Sequence, residues 1–293
     1  LRRLSAVSDP EAAAAFGAAG REELLAGLTQ LPFGRSRRPR PATHRRPLVL
    51  IFALVAAAAT AAGAWALFGS PAQETTSVEC VIAGADTSRR MDIAMSVWLL
   101  RSNQRNVLVD AGFYRDKFVT RWKPANFVQP SDAVRSAGVR PEDVTDIIVS
   151  HIHWDHADGI DLFPNARVWI QKDEYEHYVA PDGSARDRAI DPDDAKMLSV
   201  LKARGRVHLI DGDSTEIIPG ITVFTGGKHT FASQYATVRS DVGTMVIASD
   251  NAYLYENLEQ HRPIAQTLDS LSNLAAQARM ARLASDPRLI IPG

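Results

Sequence analysis

Residues 150–160 read SHIHWDHADGI and place His151, His153, Asp155 and His156 within six positions, directly after the apolar run DIIVS. That run has the character of a buried strand, so the polar cluster starts in a loop at a strand end. Neutral imidazole and carboxylate are the ligands that suit zinc and related borderline metals, and a cluster without cysteine points to catalysis more than to a closed structural site. If the loop curls around a cation, His151 and His153 approach from one side while Asp155 and His156 turn toward a second position, which leaves room for two metals. A chance run of surface histidines is the bland alternative, but only 8 of 293 residues are His, and three of them fall in this hexapeptide. Two metal shells need further ligands. TGGKHTFASQ offers His229 after a strand and a glycine pair, and IASDNAYLYEN offers Asp250 at another strand end. Taken singly, His229 could be an ordinary loop residue and Asp250 a helix cap.

From about residue 78 the chain alternates short apolar runs with turn signals. VECVIAG, AMSVWLL, NVLVDAG, RVWIQ, RVHLID, ITVFTGG, YATVRS and GTMVIASD read as strands. SDAVRSAG, KDEYEHYV, DDAKMLSVLKARG and the stretch 264–283 read as helices. This mixture predicts an α/β (α+β layered) domain over residues 78–293. A net charge of -1, with basic residues clustered only near the N-terminus, gives no footprint for nucleic acid. The one cysteine, Cys80, excludes an intrachain disulfide and a thiolate-rich zinc site, and its apolar neighbours suggest a buried strand residue. His44 sits in a basic stretch, His177 on a surface helix, His208 in a strand and His261 near a polar helix; none is needed as a ligand.

Residues 1–46 differ from the rest. SDPEAAAAFGAAGREELLAGL, with Ser8 or Asp9 as cap, reads as a short helix. FGRSRRPRPATHRR, rich in Arg and Pro, cannot form a packed core. Residues 47–68 are uncharged and about as long as the roughly 20 residues that a bilayer-crossing helix needs. They are expected to form a single transmembrane or signal-anchor helix, followed by a linker at 69–77. The preceding arginines would hold residues 1–46 in the cytoplasm and put the following domain outside. Secretion after signal cleavage near Ser70-Pro71-Ala72 is the alternative.

HIHWDH, His229, Asp250 and the strand-end Asp110 in NVLVDAGF together resemble the metallo-β-lactamase superfamily, whose signature is H-x-H-x-D-H followed by a later histidine and a bridging aspartate. The resemblance, over residues 78–293, implies an αββα sandwich with two divalent metals, taken as Zn2+, at one edge of its two sheets. It assigns His151, His153 and His229 to one metal, Asp155 and His156 to the second, and Asp250 to the bridge, with Asp110 orienting a ligand histidine from behind. SDNAYLYEN is similar to the N-acyl-homoserine lactonase branch, in which a tyrosine three residues after the bridging aspartate reaches the substrate carbonyl; that residue is Tyr253. The implied reaction opens a small-molecule lactone or ester, attacked by a hydroxide shared by the metals. A glyoxalase-II-like thioesterase and a non-catalytic, membrane-anchored metal sensor are the alternatives. Lys228, beside the glycine pair, departs from the branch and could displace the His229 loop. The family's last histidine ligand follows a strand like LIIPG, where this chain stops at Gly293, and the chain opens on Leu1 without methionine; both ends are therefore expected to have been cut.

Overall fold

The computed structural model describes residues 50–56, as a strand without side-chain detail, then 83, 93–102 and 104–293. The first sheet contains β1 (Leu50–Ala56), β2 (Met95–Arg101), β3 (Asn106–Val109), β4 (Asp146–Ile148), β5 (Arg167–Gln171) and β6 (Val207–Ile210), in that spatial order. β1, β2 and β3 pair antiparallel, whereas β3 to β6 run parallel. Parallel neighbours need crossover connections. These carry α1 (Asp116–Trp122), α2 (Pro130–Ser136), α3 (Trp154–Ala157), α4 (Lys172–Tyr178) and α5 (Pro192–Ala203).

The second sheet is an antiparallel meander of β7 (Thr215–Ile218), β8 (Ile221–Thr225), β9 (Gln234–Ser240) and β10 (Gly243–Ser249). It is extended by β11 (Ile290–Pro292), which runs parallel to β10. Two helices complete the domain, α6 (Tyr255–Glu259) and α7 (Ser270–Leu283).

Three apolar clusters define four layers. Leu100, Val107, Val109 and Ile148 of the first sheet meet Val223, Ala236, Val238 and Ile247 of the second, and this is the interior between the sheets. The other face of the first sheet, with Leu99, Leu108, Ile147 and Val168, packs against helical residues such as Val134, Ala195 and Leu198. The outer face of the second sheet, through Tyr235, Val246 and Ala248, packs against Ala276 and Met280 of α7. The alternation within β3, where Leu108 faces one cluster and its neighbours Val107 and Val109 the other, follows from the two-residue strand period. The layering is the helix–sheet–sheet–helix sandwich that the resemblance implied.

Three expectations need correction. Residues 50–56, expected within a membrane-crossing helix, form β1, registered from Leu50 opposite Arg101 to Ala56 opposite Met95. A short uncharged run rich in Leu, Ile and Val does not separate a buried strand from a helix by pattern alone. No helix among the described residues is long and apolar enough to cross a membrane. The last helix begins at Ser270, six residues later than its apolar pattern suggested, because Asp269 accepts from the backbone N–H groups of Leu271 and Ser272 and caps it there. β7, with the short sequence TEII, was not anticipated. The N-terminal helix, the 69–77 linker, His44 and Cys80 lie outside the described residues, as does the VECVIAG strand apart from Ala83, which is in a turn.

Candidate metal centre

Parallel strands deliver all their C-terminal ends to one edge of a sheet, and polar groups that leave β3 and β4 meet there. Asp110 follows β3 in a left-handed conformation, φ 62°, which turns its carboxylate back toward β4. That carboxylate accepts from the backbone N–H of Ser150 at 2.8 Å and from Ser150 Oγ at 2.9 Å, and it lies 2.8 Å from Nδ1 of His156. Ser249, also left-handed at the end of β10 with φ 45°, places its Oγ 3.0 Å from Asp110 and 2.8 Å from Ser150 Oγ. Gln234, at the start of β9, donates its N–H to the Ser150 carbonyl at 2.8 Å and fastens the second sheet to the same edge.

These partners decide which nitrogen of each imidazole faces inward. An ionised carboxylate and a peptide carbonyl can only accept, so the nitrogen beside them carries the proton. His156 therefore donates Nδ1–H to Asp110, and His229 donates Nδ1–H to the Gln266 carbonyl at 2.6 Å. With the Ser150 hydroxyl proton given to Asp110, Ser150 Oγ accepts Nδ1–H of His151 at 2.9 Å. In all three rings Nε2 is therefore the nitrogen turned toward the cluster. Nε2 of His151 and Nε2 of His229 lie 3.0 and 2.9 Å from Nδ1 of His153. A proton on His153 can serve only one of these neighbours, whereas a cation can take all three lone pairs.

His151, His153, His229 and Asp250 each present a ligand atom, and these atoms lie within 4.8 Å of one another. Asp250 spans two groups. Its Oδ2 lies 3.2 Å from His229 and 3.7 Å from His151, and its Oδ1 lies 3.3 Å from Nε2 of His156. Asp155 completes the second group, 3.6 Å from Nε2 of His156. The six expected ligands thus converge on one edge, and Asp110 stands behind His156.

The electrostatics separate the two groups. Burial and the neighbouring imidazoles push His151 far below the usual histidine range, and burial with His229 takes His153 down to about 3. Both are neutral at physiological pH, the form that binds metal. Burial opposes charge on His156 too, but Asp250, Asp155 and Asp110 outweigh it and raise its pKa well above the ordinary value. Asp250 stays well below the usual carboxylate range despite burial, held there by His156 and His229. Burial, with Asp250 nearby, pushes Asp155 up.

A cavity of about 250 Å³ opens onto this cluster. His153, Asp155, His156, His229, Asp250 and Tyr253 line it, and Met95, Trp98, Trp122 and Trp154 are among its apolar lining. Trp154, inside the motif, stacks on Phe118 at 4.7 Å and Trp122 at 5.3 Å and meets the edge of Phe113 at 4.8 Å. The segment that supplies these partners is moored by Asp158, which accepts from the backbone N–H groups of Tyr114 at 2.7 Å and Arg115 at 3.0 Å. The Arg115 guanidinium bonds to both Asp158 and Asp194.

The hydroxyl of Tyr253 lies 3.4 Å from Nδ1 of His229, on the cavity wall. Lys228 does not displace the His229 loop: it takes a left-handed conformation, φ 57°, and its ammonium sits 4.9 Å from the Phe231 ring centroid. The glycine before it is required for space, since a Cβ on Gly227 would lie 2.4 Å from Cα of Asn273. The other described histidines are elsewhere. His177 stacks on Phe231, His208 stacks on Trp169, and His261 bonds to the Leu274 carbonyl.

Reading the sequence missed Ser150, Ser249, Asp158 and Gln266. The two serines carried a signal, each being the last residue of an apolar run and directly preceding a ligand. Gln266 acts through its carbonyl, which has no sequence signature.

Residues 94–293 match the metallo-beta-lactamase superfamily. An N-acyl homoserine lactonase of Bacillus sp is 25% identical over 189 residues, covering 60% of this chain and 70% of the relative. One from Bacillus cereus is 29% identical over 133 residues, where the match spans 45% of this chain and about half, 48%, of the relative. Among solved structures, a quorum-quenching N-acyl homoserine lactone lactonase superposes with a TM-score of 0.60 at 21% identity, over 73% of this chain and 85% of that one. An N-acyl homoserine lactone hydrolase holding the product N-hexanoyl-L-homoserine at its catalytic metal center gives 0.59 at 20% identity, over 73% and 86%. The chain belongs to the metallo-beta-lactamase superfamily, as a metal-dependent hydrolase of its lactonase-like branch.

Proposed function

We propose that this protein opens the ring of a lactone carrying an apolar arm, an N-acyl-homoserine lactone being the substrate class, with two divalent cations, Zn2+ first among them. The observation that carries this reading is the cavity: the histidine–aspartate cluster and Tyr253 share it with Trp98, Trp122 and Trp154. A polar ring at the cluster and an apolar chain against the tryptophans use both kinds of wall. No lysine or arginine lines it among the described residues, which leaves the anionic end of a glutathione thioester without a partner.

His151, His153 and His229 would hold one cation and His156 and Asp155 the other, with Asp250 within reach of both groups. Two cations there would lower the pKa of a shared water toward neutrality and polarise the carbonyl it attacks. Asp110 keeps the His156 lone pair turned inward by accepting the proton on its far nitrogen. Tyr253 donates its hydroxyl proton in a hydrogen bond to the oxygen that gains negative charge in the transition state. The tryptophan wall excludes water from the acyl arm.

The test is a substrate panel on zinc-loaded protein: acyl-homoserine lactones of several chain lengths, a glutathione thioester and a β-lactam. Lactone turnover that exceeds the other two is the expected result. Thioester hydrolysis far above lactone hydrolysis would move the protein to the glyoxalase-like reading, and full metal occupancy without hydrolysis of any substrate would make it a sensor.

The domain's export to the outer side of the cell membrane is likewise proposed, on the arginines that precede the uncharged residues 47–68. Residues 50–56 cannot cross a bilayer as a helix and pair with β2 at once. Protease added to intact cells decides: cleavage of the domain supports export, and a protected, wholly soluble product overturns it.

A further inference from the structure

Glu174 is a fully buried carboxylate that has no part in the chemistry above. It stands on α4, behind the metal cluster, and each of its oxygens takes a backbone N–H from a different loop. Oε1 accepts from Ile152 at 3.2 Å, and Oε2 accepts from Ala232 at 2.8 Å. Ile152 lies between His151 and His153, and Ala232 lies three residues after His229. His153 and His229 are 76 positions apart in the chain, and their loops come from different sheets, joined nearby only through the Gln234 N–H to the Ser150 carbonyl among the backbone hydrogen bonds of the described residues. One helical turn later, Tyr178 accepts from the N–H of Phe231 at 3.2 Å, which gives the His229 loop a second anchor on the same helix.

The physical case rests on desolvation. A buried carboxylate is costly unless donors satisfy it, and two peptide N–H groups from two loops are a demanding way to do so. Burial lifts its pKa, and the Ala232 amide, the Thr230 hydroxyl and the Ile152 amide oppose that rise. Isolated from the solvent, the carboxylate keeps both N–H groups only while the loops stand at the right separation.

We infer that Glu174 is a positioning residue that sets the spacing between the His151–His153 loop and the His229 loop by accepting one backbone N–H from each. The inference rests on the metal reading of the cluster and not on the identity of the substrate, so it is tested with zinc alone.

Metal-free wild type and Glu174→Gln are compared for zinc affinity by competition with a chromophoric chelator, and for thermal unfolding before and after zinc is added. The amide keeps one acceptor and replaces the other with an N–H donor, so one loop loses its tie. Zinc affinity should fall roughly 10–100-fold, as for other partners that orient ligands from behind, and the stabilisation by zinc should shrink. Glu174→Asp, which keeps the charge but is too short to reach both loops, should recover part of the affinity. A merely structural role would lower the melting temperature of the metal-free protein and leave zinc affinity at the wild-type value; that result overturns the inference. If Glu174→Gln does not fold, Tyr178→Phe serves, since it removes only the acceptor of the Phe231 N–H. A loss of roughly two- to tenfold in zinc affinity supports the inference, and unchanged affinity overturns it.

Discussion

Strand β4 has a buried carboxylate at each end, and the two are treated in opposite ways. Asp146, at its start, is fully buried and meets Arg105 at 2.9 Å, Arg167 at 2.8 Å and the indole N–H of Trp169 at 2.9 Å. Asp110, beyond its other end, is equally enclosed but meets a backbone N–H, two serine hydroxyls and one imidazole, with no guanidinium. Two cations finish the charge of Asp146, and nothing remains for it to act on. The charge of Asp110 is passed on through His156 to a cluster where Asp155 and Asp250 add two more carboxylates. A folded chain that gathers three acids and four imidazoles without a lysine or arginine in the cavity lining, among the described residues, is one that expects metal.

The contrast breaks most visibly if metal is removed. Chelation should abolish hydrolysis, with recovery on added zinc, while the far-ultraviolet circular dichroism survives, because the Asp146 end needs no metal. Full turnover by demonstrably metal-free protein would end the argument. Next in size is Tyr253→Phe, which should keep its metals and lose roughly 10²–10³-fold in kcat on lactones, because the hydroxyl acts on charge present mainly in the transition state. Equal turnover by the two proteins removes that role.

Asp110→Asn sharpens the comparison directly. The amide nitrogen cannot accept, so Ser150 or His156 loses its partner, and zinc affinity should drop roughly 10–100-fold. The matched change at the other end, Asp146→Asn, should leave zinc affinity as it was and cost about 1–3 kcal/mol of stability, less than a wholly buried pair because both arginines are partly exposed. Denaturant titrations of the two variants with zinc competition form a two-by-two test; a variant that moved both readings equally would show the ends to be coupled.

The smallest effect is a pH profile. Burial alone would raise Asp146, but the Trp169 hydrogen bond and the charges of Arg167 and Arg105 hold it below the ordinary carboxylate value. A carboxyl whose folded pKa is depressed contributes stability above its unfolded pKa, about 4, and loses it as pH falls through the folded value. Wild-type stability should therefore decline on acidification below about pH 4 by more than that of Asp146→Asn. Parallel profiles would show that Asp146 contributes nothing to the acid limb.

The ligand residues could be read from the chain because coordination demands particular atoms. Imidazole and carboxylate at strand ends are recognisable by type and spacing, and the strands that present them alternate apolar side chains with little ambiguity. The misreadings came where local pattern permits two answers. Residues 50–56 are uncharged and apolar, which suits a helix in lipid or a strand in a sheet, and pairing with β2 is what selects the strand. The apolar pattern of α7 extends back to residue 264, ahead of the point where Asp269 imposes its cap, so pattern alone sets the helix start too early.

Sequence by itself determined the layered fold, the residue types of the cluster, their order along the chain and the family signature, since all of these depend on side-chain chemistry and on short-range periodicity. Tertiary structure alone decided which nitrogen of each histidine turns inward, that Ser249 joins Ser150 around Asp110, and that Glu174 ties two distant loops. Those decisions rest on single hydrogen bonds to backbone groups or between residues as many as 139 positions apart. Every residue except proline carries the same peptide N–H, and all carry the same carbonyl, so a partnership with the backbone leaves no mark in the sequence and appears only once the sheets have packed.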